Sequence, residues 1–265
     1  MSRDPETCAE IDGLFGDLAS CFGVPGRTGN HRLASPESSS RHCDRETGRR
    51  ARRSLPRRVY HLAEEANWRS IQRIGLLPAA DLMAHVGLSG VDRERLERSQ
   101  RMSHTVLADG VEIRDQLRMP ATALRACLIG MEPADWYALM NSRVFFSLDP
   151  IRLNRLRGGC EPRPQVVLIL DTAGLMAGYA GRASVTPINS GHALRRAARR
   201  GAGTFVPYAA WVESGWASEA ARLATRERSR SHRPVELAIA GAIPDVMRYV
   251  VAVSRLAADE RFEER

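Results

Sequence analysis

Two polar side chains, His61 and Asn67, lie six residues apart where an apolar strand gives way to an amphipathic helix. Apolar residues then recur at helical spacing, at Ala66, Trp68, Ile71 and Ile74. Gly75 follows as a residue suited to ending a helix. A strand, a tight turn and a helix would let both polar side chains face one cleft and hydrogen-bond a ligand. The same pattern also fits an exposed histidine beside a helix-capping asparagine.

A second candidate for chemistry is Glu236, the only acidic residue in an otherwise apolar segment at 234–239. A single carboxylate in a strand can orient or deprotonate an attacking group, and it can stabilise a developing positive charge. The alternative is a carboxylate on an edge strand that points to solvent or pairs with Arg233.

The elements that must position these residues follow from the hydrophobic pattern. Helices are predicted at 62–75, 78–85, 91–101, 119–130 and 132–142, with a hairpin around the Asp-Gly turn within 105–116. Strands are predicted at 59–62, 143–148, 165–170, 183–188, 203–207, 234–239 and 248–253. Asp171 is predicted to cap a helix after its strand. Helices early and strands late, without βαβ alternation, indicate an α+β fold of packed antiparallel sheets.

The charge of the chain is unevenly distributed. Its 265 residues carry a formal net charge of +8, with 39 basic residues that are all arginine. Residues 41–58 hold eight arginines against two acidic residues, while 59–265 hold 28 against 23. We therefore predict a disordered Arg-rich tail at 1–57, a folded domain at 58–256 and a charged C-terminal tail at 257–265. The N-terminal tail could bind nucleic acid or serve as a solvated linker.

Cysteine usage and hydropathy indicate the compartment. The five cysteines form no CxxC pair and no metal-like Cys/His spacing, so we expect free thiols in a reducing compartment and no metal site. No apolar stretch reaches the length of about eighteen residues that a membrane helix needs, and the N-terminus lacks a basic region followed by an apolar one. These features predict a cytoplasmic protein that does not contact a membrane.

The order of motifs along residues 59–255 resembles the ADP-ribosyltransferase superfamily, most closely its DarT-like toxins that modify nucleobases in DNA. The shared motifs are Tyr60-His61, Asn67, the helix end Ile71-x-x-x-Gly75-Leu76, RVFFSLDP at 143–150, INSG at 188–191, Thr204-Phe205, Trp211 and PVELAIAGAIPDVMRYVVAV at 234–253. One departure is Leu148-Asp149-Pro150-Ile151, where many relatives have Pro-Arg-Ser-Pro-Met. This departure bears on the substrate more than on the fold.

The resemblance implies an ADP-ribosyltransferase-like fold of two packed, mainly antiparallel sheets with a helical insertion. It implies NAD as cofactor and transfer of ADP-ribose to a macromolecular acceptor, a DNA or RNA base, with release of nicotinamide. The resemblance leaves an antitoxin-like partner open. A non-catalytic or protein-modifying NAD-binding member of the fold is the alternative. An RNA 2′-phosphotransferase on the same scaffold ranks lower, because it would need a histidine and several arginines where this chain offers Glu236.

The resemblance also implies roles for individual residues. Breaking the glycosidic bond of NAD passes through an oxocarbenium-like state that a carboxylate stabilises. The implied catalytic residues are Glu236 and Arg101, the implied cofactor-binding residues are Tyr60, His61, Asn67 and Phe146, and the implied substrate-facing residues are Asn189 and Ser190. Arg98, Arg114 and Arg118 are rivals of Arg101 for the pyrophosphate. Phe145 and Phe146 would stack on nicotinamide or belong to the core.

Overall fold

A computed structural model describes residues 53–116, 119–193 and 197–264. The predicted tail therefore lies outside the described residues up to position 52. The strands are β1 (Arg58–Glu64), β2 (Thr105–Val106), β3 (Glu112–Ile113), β4 (Arg143–Ser147), β5 (Gln165–Asp171), β6 (Ala183–Thr186), β7 (Val206–Pro207), β8 (Glu236–Ala240) and β9 (Val250–Leu256). The α-helices are α1 (Trp68–Ile74), α2 (Ala79–His85), α3 (Gly90–Arg98), α4 (Ala121–Cys127), α5 (Pro133–Asn141), α6 (Pro150–Gly158), α7 (Thr172–Tyr179), α8 (Tyr208–Ser214) and α9 (Ala217–Leu223). The fold class is α+β, as predicted.

Seven strands form one antiparallel sheet in the order β7-β6-β8-β4-β1-β5-β9, and β2 pairs with β3 in a separate hairpin. The predicted antiparallel pairing is confirmed, and the large sheet falls into two halves, β7-β6-β8-β4 and β1-β5-β9. The two halves of the large sheet are joined by a single register pair between β1 and β4, Tyr60 with Ser147. Beyond this pair β1 is bonded only to β5, and β4 only to β8. The sheet is continuous at one end and open along a seam between β1 and β4.

Strand β5 shows why the sheet forms. Its side chains are buried on both faces: Val166, Leu168 and Leu170 pack into one hydrophobic cluster, while Val167 and Ile169 pack into another. Because successive side chains of a strand point to opposite faces, an unbroken apolar run supplies both clusters. The predicted strand at 165–170 is confirmed for this reason.

The first helix begins later than predicted. Strand β1 extends to Glu64, because residues 58–64 pair in register with β5 over their whole length. A short 3₁₀ turn, Glu65–Asn67, follows before α1 begins at Trp68. Gly75 ends α1 with a φ of 83°, as predicted, and a Cβ there would lie 2.3 Å from the Ile243 carbonyl oxygen. Long-range pairing overrides the local helical pattern here.

Some of the other predicted elements are confirmed, and others differ in length or were not predicted. The predicted hairpin is confirmed in β2 and β3, and Asp171 caps α7 by accepting a hydrogen bond from the Gly174 N–H at 2.7 Å. The predicted strand at 203–207 is shorter, because a 3₁₀ turn occupies Ala202–Thr204 before β7. Helices α6, α8 and α9 were not predicted. No helix among the described residues is long and apolar enough to cross a membrane.

Residues on both sides of the predicted domain make contacts with it. Leu55 packs against the main hydrophobic cluster, so the N-terminal boundary lies before 58. In the predicted C-terminal tail, Phe262 is buried against Tyr60, and the backbone of residues 257–262 is held by Asn154 and Arg157. The charged tail therefore packs on the domain up to Glu264.

Candidate functional site

A cavity of about 310 Å³ opens at the seam between β1 and β4. This volume lies at the lower end of the range for small-molecule sites, roughly 300–1,000 Å³. All eight residues predicted for the site line the cavity, namely Tyr60, His61, Asn67, Arg101, Phe146, Asn189, Ser190 and Glu236. They come from β1, the turn before α1, β4, β8, the loop after β6 and the segment 101–116. We call residues 101–116 the hairpin segment.

Glu236 is the first residue of β8 and lies in a row of paired residues across the sheet. Its register partners are Ser147 on β4 and Thr186 on β6. The carboxylate Oε2 accepts hydrogen bonds from the Ser190 N–H at 3.1 Å and from the Thr186 hydroxyl at 3.0 Å. Among the described residues, no hydrogen bond reaches Oε1. One carboxylate oxygen is therefore fixed and the other is open to a ligand.

The surroundings of Glu236 act on its pKa in opposite directions. Burial raises the pKa of this carboxyl group, while the hydrogen bonds from Ser190 and Thr186 and the nearby charge of Arg200 counteract the rise. The balance is a pKa above the ordinary value of glutamate. The Thr186 hydroxyl has one proton and also lies 2.8 Å from the Ile188 carbonyl oxygen, so it serves one acceptor at a time.

Arg200 is a buried cation behind this carboxylate, with only 2% of its surface exposed. Its guanidinium donates to the Ser190 carbonyl oxygen at 3.2 Å and lies 5.8 Å from the centre of the Trp136 ring. Burial lowers the pKa of Arg200. It thus braces the loop that supplies the Ser190 N–H. Sequence analysis missed it, because nothing local distinguishes it from the neighbouring arginines.

The loop residues Asn189 and Ser190 contribute through side chain and backbone, and hydrogen bonding from both the Ser190 side chain and its N–H counteracts the rise that burial causes in the pKa of Glu236. The Asn189 side chain accepts a hydrogen bond from the Gly191 N–H at 3.0 Å, which closes its own turn. Ser190 is buried, and its N–H is the group that holds Glu236. The predicted substrate-facing loop therefore lines the cavity and positions the carboxylate.

His61 is held in one tautomer by the strand across the seam. Its Nδ1 lies 2.9 Å from the Phe145 carbonyl oxygen. A carbonyl can only accept, so Nδ1 carries the proton. Burial lowers the pKa of His61 to about 4, with Arg114 adding to the effect and the bond to Phe145 opposing it. The ring is therefore neutral at pH 7, and Nε2 is a hydrogen-bond acceptor with no partner among the described residues.

The two neighbouring phenylalanines belong to hydrophobic clusters. Phe146 is only 1% exposed, and its ring lies 5.6 Å from that of His61. Phe145 packs against the Phe205 ring at 6.1 Å. The burial of Phe146 favours the alternative that it belongs to the core over the predicted stacking on a cofactor, which stays a prediction. Phe146 instead supports the imidazole of His61.

Tyr60 reaches the cavity wall without offering its hydroxyl to it. The Tyr60 hydroxyl donates to Glu264 Oε2 at 2.6 Å, and its ring packs against Phe262 at 5.6 Å. Successive residues of a strand point to opposite sides, which separates Tyr60 from His61. Because the Tyr60 hydroxyl is bonded to Glu264, the backbone at this position is better placed than the side chain for the predicted cofactor contact.

Asn67 is committed to the backbone of the hairpin segment. Its Nδ2 donates to the Glu112 carbonyl oxygen at 2.7 Å, and its Oδ1 accepts from the Glu112 N–H at 2.8 Å. It makes no side-chain cap on α1. Asn67 therefore does not cap the helix through its side chain, and its bonds to Glu112 argue against the predicted contact with a ligand. It docks the hairpin segment beside the cavity.

Arg101 anchors the other end of the hairpin segment. It is 9% exposed, and its guanidinium donates to the carbonyl oxygens of Arg114 and Leu96 at 3.0 Å and to Asn141 Oδ1 at 2.9 Å. Burial lowers the pKa of Arg101 to about 10. Three donors are used inside the chain, which argues against the predicted catalytic role. Of its rivals, Arg98 pairs with Asp135, and Arg118 lies outside the described residues.

A buried ion-pair network below the cavity was not predicted. Glu64 is 2% exposed and accepts from Arg114 at 2.9 Å and from Arg163 at 3.3 Å, while Arg163 also bonds Asp115 at 2.5 Å. Burial alone would raise the pKa of Glu64, but the two guanidinium groups outweigh it and lower the pKa. The network fastens the hairpin segment to β1. In the sequence, Glu64 follows the apolar strand at 59–62, but it falls within the helix predicted at 62–75.

Arg143 is a further cation in the cavity wall. Its Nη1 donates to the Leu139 carbonyl oxygen at 2.7 Å and to the Ser142 hydroxyl at 2.9 Å, and its guanidinium lies 4.5 Å from the centre of the Phe205 ring. It has no carboxylate partner among the described residues. Burial lowers the pKa of Arg143. A half-buried guanidinium without a carboxylate is suited to an anionic ligand group.

In the described part of the chain, no group of three or more His, Cys, Asp and Glu side chains could hold a metal ion.

Comparisons with known proteins place the chain in a family. A family model described as a family of unknown function (DUF7002) matches residues 57–250, which is most of the chain and includes the whole cavity. No curated protein and no solved structure matches this chain.

Proposed function

The chain belongs to the DUF7002 family, whose function is unknown, and we propose that it is an NAD-dependent ADP-ribosyltransferase. It would move ADP-ribose from NAD to a macromolecular acceptor, a nucleic-acid base, and release nicotinamide. One observation carries the proposal. A carboxylate with one open oxygen, Glu236, and a neutral histidine with one open nitrogen, His61, line the same cavity from opposite sides of the seam.

Glu236 is the group proposed to act on the bond that breaks. Its Oε2 is fixed by Ser190 and Thr186, so Oε1 is held in a defined direction. A preoriented carboxylate stabilises the positive charge that develops on the ribose as nicotinamide leaves. The raised pKa of Glu236 also suits it to accept a proton from the attacking group. Both roles require the ionised form.

His61 is proposed to hold the nicotinamide ribose. Its neutral ring accepts a hydrogen bond at Nε2, which matches a sugar hydroxyl donor. A protonated imidazole could only donate and would repel a positively charged nicotinamide ring. The low pKa of His61 therefore favours NAD over an anionic ligand at this end of the cavity.

Arg143 replaces Arg101 as the arginine proposed to contact the pyrophosphate. Both line the cavity, but Arg101 uses Nε and Nη1 on two carbonyl oxygens and one side-chain oxygen. Arg143 has only Nη1 engaged, which leaves the rest of its fork for phosphate oxygens. Acidic residues in the cavity wall do not oppose this assignment, because Glu64 and Asp115 are paired with arginines and Glu112 Oε2 lies 3.2 Å from His104 Nε2.

The experiment that tests the proposal follows both products. The purified chain is incubated with cell lysate and NAD labelled in the adenylate half, and nicotinamide is quantified by chromatography. Portions of the labelled lysate are then digested separately with DNase, RNase and protease. We expect nicotinamide release, and label that disappears with a nuclease. Binding of NAD without release would favour a non-catalytic module. Protease-sensitive label would move the acceptor to protein. The absence of both NAD binding and nicotinamide release would refute the proposal.

A further inference from the structure

The segment 222–233, which leads into β8, is strongly basic. We call it the basic segment; it contains five arginines and one glutamate. Arg222, Arg226, Arg230 and Arg233 are exposed, and none has a carboxylate partner among the described residues. The only acidic residue of the segment, Glu227, is exposed as well. Such a group of unpaired guanidiniums lowers the electrostatic potential energy of a polyanion along this edge.

The basic segment is held in a fixed conformation. Arg228 donates through Nε and Nη2 to the two oxygens of Glu219, at 2.9 Å each, and Glu219 is only 1% exposed. Arg199, itself exposed, donates to the Ala224 carbonyl oxygen at 3.0 Å and adds a cation beside the segment. Arg228 therefore holds the segment in place, and the four unpaired arginines project from a rigid support. A rigid support reduces the conformational entropy lost when an anion binds.

The basic segment is also tied directly to the loop that holds Glu236. His232 Nε2 lies 2.9 Å from the Pro187 carbonyl oxygen, and the Val235 N–H donates to the Thr186 carbonyl oxygen at 2.7 Å. The same loop continues to Ser190, whose N–H bonds Glu236. Arg233 lies three residues before Glu236 along the chain. A strand bound on the segment would thus lie beside the mouth of the cavity.

We propose that the basic segment binds the phosphate backbone of single-stranded nucleic acid through Arg226, Arg230 and Arg233, and so presents a base to the cavity. The inference rests on the proposed function for the identity of the base-modifying step, but the binding itself does not require that step. Guanidinium groups contact phosphate oxygens in bidentate fashion. A single strand fits better than a duplex, because a base must leave its stack to enter a cavity of this depth.

The test measures binding of fluorescently labelled single-stranded DNA and RNA of about twelve nucleotides by anisotropy over a salt series, a length within the site sizes of single-strand binders. It compares the wild type with the triple variant Arg226→Gln, Arg230→Gln, Arg233→Gln. The control is the triple variant Arg95→Gln, Arg155→Gln, Arg261→Gln, which removes the same charge from exposed arginines outside the segment. Circular dichroism and nicotinamide release from NAD are measured on every preparation.

We expect the first triple variant to bind single strands about tenfold or more weakly at low salt, with a slope of log K against log salt shallower by about 2, since each lost contact removes about 0.7. The control should change far less, and a duplex should bind no tighter than the single strand. Equal losses in both variants, no binding by the wild type, or a preference for duplex would overturn the inference. Loss of single-strand binding with unchanged nicotinamide release would show that the basic segment binds nucleic acid but takes no part in breaking NAD. Segment-dependent binding without any nicotinamide release would leave this inference standing and remove the proposed function.

Discussion

The polar side chains on the two walls of the cavity are held differently. We call the wall with Glu236 and His61 the sheet wall and the wall with Asn67 and Arg101, beside the hairpin segment, the hairpin wall. On the sheet side, Glu236 and His61 are each held through one atom, while the other polar atom of each has no partner among the described residues. On the hairpin side, Asn67 uses both ends of its amide on Glu112, and Arg101 bonds three oxygens of the chain.

The difference separates residues that can act from residues that hold others in place. All of them line the cavity, so proximity does not distinguish them. What distinguishes them is whether their hydrogen-bonding capacity is already satisfied, since a satisfied buried group gains little by exchanging one partner for another. We expect substitutions on the sheet wall to change ligand chemistry and substitutions on the hairpin wall to change stability.

The largest effect is expected for Glu236→Gln on the sheet wall. Glutamine keeps the shape and can still accept from the Ser190 N–H, but it lacks the negative charge. Nicotinamide release should fall by roughly 10²–10⁴-fold, the scale of a positioned acid/base group. Chromatography of the products measures this, with thermal unfolding to show that the fold is intact. Unchanged turnover in a folded variant would exclude Glu236 from the reaction.

Glu64→Gln should cause the largest loss of stability, because Glu64 fastens the hairpin segment to β1. Removing the carboxylate leaves Arg114 without a carboxylate partner in a mostly buried network, while Arg163 keeps Asp115; breaking such a pair costs roughly 3–5 kcal/mol. Denaturant titration measures the free energy of unfolding. The control is Glu97→Gln, which breaks the more exposed pair with Arg93 and should cost less than about 1 kcal/mol. Equal costs would contradict the account of this wall.

The Glu64 network also fixes the direction of a pH effect. Because the pKa of Glu64 is lowered in the folded state, its stabilisation is present above the unfolded pKa of about 4.3 and is lost as pH falls through the folded pKa. The stability gap between wild type and Glu64→Gln should therefore be full at neutral pH and shrink in acid. A gap that widens as pH falls would contradict the lowered pKa.

His61→Ala should weaken NAD binding by about 1–3 kcal/mol, because a buried acceptor for the ribose is lost. Isothermal titration calorimetry measures the affinity. His61→Gln is the matched variant, since its amide can restore an acceptor and should recover part of the loss. Native affinity in the alanine variant would remove His61 from the ligand.

Asn67→Ala should act mainly on stability, by about 1–3 kcal/mol, because two hydrogen bonds to Glu112 are lost. Urea unfolding measures this, and calorimetry with NAD is carried out where the variant is folded. A large loss of NAD affinity without loss of stability would show that Asn67 contacts the ligand directly, as the resemblance implied, and would break the distinction between the walls.

The smallest effect concerns the pH profile of nicotinamide release. Activity that needs ionised Glu236 should decline as pH falls, with its midpoint above the ordinary pKa of glutamate because burial raises the pKa of this group. Thr186→Val removes a hydroxyl that donates to the carboxylate and should move the midpoint further upward. A downward shift in this variant would show that the hydroxyl donates to the Ile188 carbonyl instead.

The sequence predicted well what depends on local pattern. The apolar runs of β4 and β5, the Asp-Gly hairpin and the Asp171 cap are each specified by neighbouring residues. Glu236 stood out because a lone carboxylate in an apolar strand is uncommon. The family resemblance then supplied His61 as its counterpart, and the cavity brings the two together.

What the sequence could not predict depends on partners far along the chain. Asn67 is satisfied by Glu112, 45 residues away, and Glu64 by Arg163, 99 residues away. No spacing rule reports such pairs. Arg143 and Arg200 could not be singled out among 39 arginines, because only their contacts with distant residues distinguish them.

The most direct test is a crystal structure of the Glu236→Gln variant with NAD, under conditions where calorimetry shows binding. The account predicts the nicotinamide ribose in the seam cavity, with a hydroxyl hydrogen-bonded to His61 Nε2, the side chain at position 236 beside the same ribose, and Asn67 and Arg101 still bonded within the chain. NAD bound outside this cavity, or bound in it with Asn67 and Arg101 as its main contacts, would contradict the account.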